Sequence, residues 1–214
     1  DGMGGDTVHL DFTGTPVTSL EGIPVSTKLL FVARCHHITS IAPLRRCAYL
    51  SALDISQTTV VDLQPLAGGL HLDTLVLAYC KSLANLGPIS SCTALQCLDV
   101  RWTNVRTIEV VRNFKQLRAF TGDWTPIRDL TPLEECTALS LLAVPWTSVR
   151  DLSPLAACPN LVSVNVKWTA VHDATPLQTC ASLETVQLSG TCVEENVPWL
   201  PSVKKMFISL MKML

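Results

Sequence analysis

Apolar positions recur along this chain with a period of twenty-two. Counted from the first of them, one unit reads L-x-x-L-x-L-x-W-T-x-V-x-D-L-x-P-L-x-x-C-x-x, and residues 139–160 fit it with Val144 in place of the second strand leucine. Slot one holds Leu50, Leu72, Leu95, Leu117, Leu139, Leu161 and Leu183. Slot four runs Leu10, Phe31, Leu53, Leu75, Leu98, Phe120, Leu142, Val164, Val186, and slot six Phe12, Ala33, Ile55, Leu77, Val100, Gly122, Val144, Val166, Leu188. Apolar residues two apart with a polar residue between them are the signature of a short strand with one face buried. The pattern predicts nine such strands between residues 7 and 195, stacked as a parallel sheet with a spacing of about 4.8 Å. No unit can bury its apolar slots alone, so each depends on its neighbours for the remaining walls of the core.

Past each strand the pattern predicts a turn. Slot nine holds Thr15, His36, Thr58, Cys80, Thr103, Thr125, Thr147, Thr169 and Thr191. A buried threonine hydroxyl there can donate to one backbone carbonyl and accept from one amide as the chain leaves the sheet. Between Cys80 and Asn85 one extra residue shifts the register. Slot thirteen is polar (Ser19, Ser40, Asp62, Asn85, Thr107, Asp129, Asp151, Asp173), and Thr131-Pro132, Ser153-Pro154 and Thr175-Pro176 follow in the later units. Ser or Thr before Pro reads as an N-cap and first helical position, with room for only one or two turns of α or 3-10 helix. Leu155 and Cys158 then lie on one face of that turn and pack inward, cysteine serving as a small apolar residue.

An open stack exposes its core at both ends. The weak first strand, Val8–Phe12, has no cover before it, so the chain reads as an excerpt with a preceding segment. At the other end Glu194–Pro201 breaks the repeat, and Val203, Met206, Phe207, Leu210 and Leu214 return at helical spacing. Residues 196–214 are therefore expected to cap the stack, as a helix or as a last strand plus turn, within a single domain spanning 1–214.

This pattern resembles the leucine-rich-repeat family, above all the short twenty-two-residue units of internalins and of the leucine-rich regulatory subunit of protein phosphatase 1. The D-L-x-P-L segment, as in Asp151-Leu152-Ser153-Pro154-Leu155, is the internalin-like part. Threonine at slot nine departs from the family's usual asparagine. The resemblance implies an α/β solenoid: a right-handed horseshoe with the parallel sheet on its concave face and short 3-10 or α turns on its convex face. It also implies binding to protein partners, first as an intracellular scaffold or recruiting part of a larger protein, and alternatively as a regulator of a phosphatase or ligase catalytic partner or as an extracellular adhesin.

With 48% apolar residues, the chain has ample material for a continuous core. Its 16 basic and 18 acidic residues nearly balance, which argues against a broad basic face for nucleic acid. No apolar stretch reaches the ~18–20 residues of a membrane span, and no leader with a basic start and an apolar run is visible. The nine cysteines are odd in number and include no CxxC pair, and Cys136, Cys158 and Cys180 recur at core spacing. Free thiols in a reducing, cytoplasmic setting are expected from this.

Chemistry is sparse. Cys35-His36-His37 has no second ligand pair at zinc-like spacing and no orienting group for a thiol nucleophile. Phosphate-loop and nucleophile-elbow motifs are missing. No enzyme, metal or cofactor is expected. What stands out is a flank. Slot eight, at the edge of the sheet, reads Trp102, Trp124, Trp146, Trp168, bounded by Tyr79 and Gly190, and slot twelve reads Arg106, Arg128, Arg150, His172. Such rows can brace a solenoid by ring stacking and cation–π contact. Trp and Arg are also the residues most enriched at interface hot spots. The neighbouring concave face mixes both charge signs, with Asp99, Arg101, Asp123 and Lys167 among its outward positions. The expected site is a protein-docking surface formed by the concave face and flank of units five to eight. Single-stranded RNA is the disfavoured alternative, since aromatics and arginines also stack bases.

Overall fold

The computed structural model describes residues 8–193 and 203–207. Ten strands form one parallel sheet in chain order. They are β1 Val8–Asp11, β2 Thr27–Phe31, β3 Ala52–Asp54, β4 Thr74–Val76, β5 Cys97–Asp99, β6 Ala119–Thr121, β7 Leu141–Ala143, β8 Ser163–Asn165, β9 Thr185–Gln187 and β10 Lys205–Phe207. Register is constant from β3 to β9, with slot four opposite slot four: Leu53, Leu75, Leu98, Phe120, Leu142, Val164 and Val186 lie in one row. The fold is that of a leucine-rich-repeat solenoid.

The slots explain the core. In the seventh unit Leu139, Leu142, Val144, Val149, Leu152, Leu155 and Cys158 are all buried, and the same slots of neighbouring units continue one apolar column. The convex side carries only 3-10 helices of three to five residues, at Ala42–Arg46, Gln64–Leu66, Gly87–Ile89, Glu109–Asn113, Thr131–Glu135, Ser153–Ala157 and Thr175–Thr179. Two inward residues so close in sequence leave no length for an α-helical turn beyond the first.

Two expectations need correction, and one choice left open is decided. The first concerns the second unit, whose strand is displaced by one residue. Leu30 lies opposite both Leu10 and Leu53, and Leu30, Val32 and Cys35 are buried, while Phe31 and Ala33 are only half-buried and His36 is exposed. Cys35, not His36, thus fills slot nine. The turn from Cys35 to Ile38 holds one more residue than the turn from Thr58 to Val60, and counting back across it exchanges the two faces of the strand. The second concerns the caps. Ser153, Thr131 and Thr175 begin their 3-10 helices rather than cap them, and proline comes next. The capping oxygen sits two residues earlier, in slot thirteen: Asp129, Asp151 and Asp173 each accept the amide of the residue two ahead at 2.8 Å. Ser40, Asp62 and Asn85 do the same. This is an Asx or Ser/Thr turn rather than a helix cap. These bonds hold the carboxyls of Asp129 and Asp151 below the usual range.

The choice left open lies in the C-terminal segment. Lys205–Phe207 adds a strand to β9, with Phe207 opposite Gln187, and the Leu188 amide donates to the Phe207 carbonyl. Over these residues the strand alternative holds and the helical spacing does not describe the backbone. Leu210 and Leu214 lie outside the described residues.

Candidate functional site

Slot nine builds the edge of the site from beneath. The hydroxyls of Thr58, Thr103, Thr125, Thr147, Thr169 and Thr191 are buried and donate to the slot-six carbonyl three residues back at 2.6–2.7 Å. The expected bond from an amide is long, 3.5 Å, at Val105 and Val193. Where cysteine replaces threonine, the thiol reaches instead to the previous rung: Cys35 to the Phe12 carbonyl at 3.0 Å and Cys80 to the Ile55 carbonyl at 3.2 Å.

These bonds tighten the turn around slot eight, and slot eight is left-handed in every unit. Arg34, Gln57, Tyr79, Trp102, Trp124, Trp146 and Trp168 have φ between 55° and 62°, and Gly14 and Gly190 take the same position at 71° and 75°. A bulky side chain in this region is uncommon and costs about 1–2 kcal/mol. The conformation is enforced from outside. The amides of Trp102, Trp124, Trp146 and Trp168 donate to the slot-seven carbonyls of the next rung, those of Asp123, Pro145, Lys167 and Ser189. The sequence signal for this backbone was glycine at slot eight, Gly14 and Gly190, of which only Gly190 was read, as the end of the row.

The indoles project from these turns and stack. Ring centroids are 4.7, 4.7 and 4.8 Å apart from Trp102 through Trp168, tilted by 15–17°, and Tyr79 extends the stack at 5.5 Å. All four tryptophans remain 36–46% exposed. Neighbouring rings cover their faces, except the outer face of Trp168, which Gly190 sits against, so solvent meets mainly ring edges, and among the described residues no indole N–H has an acceptor. The row ends at Gly190 because a β-carbon there would come within 2.4 Å of the Trp168 ring. Arg106, Arg128, Arg150 and His172 are exposed on the same flank. Among the described residues none of these arginines lies over an indole, so the cation–π brace is not formed. An open groove of about 390 Å³ runs between Trp146, Trp168, Ser148 and Arg150. A second, of about 440 Å³, continues the flank at His36, Gln57, Tyr79 and Lys81.

On the concave face Asp99 and Arg101 are paired with one another, guanidinium to carboxylate at 2.7–3.0 Å. Beside them Asp123 is half-buried, and its Oδ1 lacks a hydrogen-bond partner among the described residues. Burial pushes its carboxyl up to about 6, against the pull of Arg101. The sequence lists these three as separate contact residues; the fold joins them into one charged cluster. Lys167 lies 5.8 Å above the Phe207 ring, a contact that depends on the tenth strand.

The convex cysteines form a row of their own. The thiols of Cys92, Cys136, Cys158 and Cys180 point to carbonyls of the preceding rung at 3.4–3.5 Å. Burial raises those of Cys92 and Cys136 to about 11 and that of Cys158 to about 12, which removes nucleophilic character. Among the described residues no three His, Cys, Asp or Glu side chains gather as a metal site, and no helix is long and apolar enough to cross a membrane.

No family sequence model matches the chain, and no curated protein matches it in sequence. Its fold, however, is shared with solved structures. An internalin of Listeria monocytogenes superposes with a TM-score of 0.82 at 23% identity, covering 87% of this chain and 55% of the internalin. The functional domain of a second internalin from that organism, InlJ, which includes a cysteine ladder, gives 0.81 at 17% identity over 94% of this chain and 43% of the other. The leucine-rich-repeat ectodomain of the Arabidopsis thaliana receptor kinase GASSHO1/SCHENGEN3, solved in complex with Casparian strip integrity factor 2, gives 0.70 at 17% identity over 88% and 26%. The chain thus spans about half the length of these two internalins. The likeness identifies the architecture.

Proposed function

We propose that this domain is a non-enzymatic protein-recognition module, and that its partner docks on the concave face and Trp/Arg flank of units five to eight. One observation carries the reading. Four successive tryptophans occupy a left-handed backbone position that glycine would fill without strain, and they remain exposed. Each stacked pair contributes about 0.5–1.5 kcal/mol beyond the area it buries, against a backbone strain of about 1–2 kcal/mol per residue. Indoles that stay exposed while held in a strained backbone conformation over four successive units favour a binding role.

The contact residues in this reading are Trp102, Trp124, Trp146 and Trp168, with Arg106, Arg128 and Arg150 on the flank and Asp99, Arg101, Asp123 and Lys167 on the concave face. The fold-sharing receptor ectodomain solved with a bound factor supports the general role. An intracellular scaffold with free thiols remains the proposed setting; the likeness to internalins favours an extracellular adhesin as the second reading. In affinity measurements on a captured partner, Trp124→Ala/Trp146→Ala should weaken the complex at least ten-fold while the domain stays folded. Unchanged affinity in a folded double variant removes the flank from the site.

A further inference from the structure

Resting on that reading of the flank, we infer that it takes an acidic, extended, proline-containing segment of its protein partner, lying along the solenoid axis. The first ground is charge. From Gly14 to His172, the positions running from slot eight through slot twelve contain no Asp or Glu, although the whole chain carries more acid than base. They do contain Arg34, His36, Lys81, Arg106, Arg128 and Arg150. Among the described residues, Arg106, Arg128 and Arg150 have no ion-pair partner. The neighbouring carboxylates of Asp129, Asp151 and Asp173 stay ionised at the strip's border, but each is hydrogen-bonded to an amide of its own turn and, among the described residues, none is paired with these arginines. The flank is thus a basic strip on a slightly acidic molecule, and a carboxylate-bearing ligand complements it.

The second ground is what the indoles leave open. Neighbouring rings occupy all of the indole faces except the outer one of Trp168, and Gly190 sits against that one. A nucleic-acid base needs a free face to stack on, so RNA fits poorly. Ring edges with unsatisfied N–H groups suit backbone carbonyls and proline rings instead. The third ground is pitch. Arg106 and Arg150 are two rungs apart, roughly 9–10 Å at the strand repeat. A polyproline-II chain advances about 9 Å in three residues, and its conformation is largely set before binding. Acidic side chains at i and i+3 of such a chain would meet Arg106 and Arg150, with prolines between them on the indole edges.

The test is calorimetry on the whole chain with the peptide acetyl-(Glu-Pro-Pro)4. We expect one-to-one binding that weakens with added salt. It should fall at least ten-fold in Arg106→Gln/Arg128→Gln/Arg150→Gln, survive largely in the corresponding lysine variant, and be unchanged in Arg45→Gln/Arg46→Gln on the convex side. The lysine set keeps the test decisive if the glutamine set unfolds. Equal binding of (Gln-Pro-Pro)4, or of a peptide with the same four glutamates in one block, overturns the inference. So does equal weakening by the convex pair, or tighter binding of a twelve-nucleotide oligouridylate. If the peptide fails while Trp124→Ala/Trp146→Ala still releases the captured partner, the acidic segment falls and the recognition role stands. If neither has an effect, both fall.

Discussion

At the scale of single residues, slot eight sets a local conflict between backbone and side chain. In Trp146 the left-handed turn disfavours any β-carbon, while the two flanking rings favour an indole. Trp146→Ala keeps the strain and loses both stacks, so it should destabilise the domain by about 1–3 kcal/mol. Trp146→Gly removes the strain as well, and should be more stable than the alanine variant by about 1 kcal/mol. Urea titrations of the two variants check that order, which is the reverse of the usual ranking of Gly and Ala. Gly190→Ala should destabilise by about 1–3 kcal/mol in the same assay, because the new methyl must displace the Trp168 ring and also accept a φ of 75°. The left-handed turn was not legible beforehand, because its usual signature is glycine or asparagine and tryptophan masks it.

At the scale of elements, strands and turns differ in how openly they were written. The strand slots were readable because seven copies of slot one repeat the same leucine, and any unit can be checked against the others. The second unit escaped that check: one added residue between Cys35 and Ile38 looks the same as a change of residue type. The turns were misread by two residues because Ser-Pro has the composition of a helix start, whereas the Asx turn depends on where a carboxylate oxygen reaches. The Asp99–Arg101–Asp123 cluster was equally hidden, since its members were individually visible but their burial was not. That burial has a consequence for acid response. The Asp123 carboxyl titrates near 6 in the folded chain and near the ordinary value of 3.8 when unfolded. Between those values the folded state binds the additional proton, so this group's contribution to stability falls as pH rises through that window. Asp123→Asn should therefore gain stability over the wild type at pH 7, and the difference should fade near pH 4. Denaturation midpoints across that range report it.

At the scale of the whole molecule, each rung is held by those on either side, and the apolar column has no seam between units. Phe120 is fully buried near the middle of that column. Phe120→Ala should cost about 3–5 kcal/mol. With coupling of this kind, hydrogen exchange should show protection falling in the rungs on both sides of β6, fading toward the ends. Loss confined to one rung would mean that neighbouring units are weakly coupled. The same regularity turns the ladder into a reporter of its own condition. Four indole chromophores held face to face at a nearly constant tilt cannot absorb as independent units. Their excited states mix, and light taken up by one is shared along the row. The near-ultraviolet dichroism of the native domain should thus belong to the stack as a whole, and a slip between any two rungs would change it without a label.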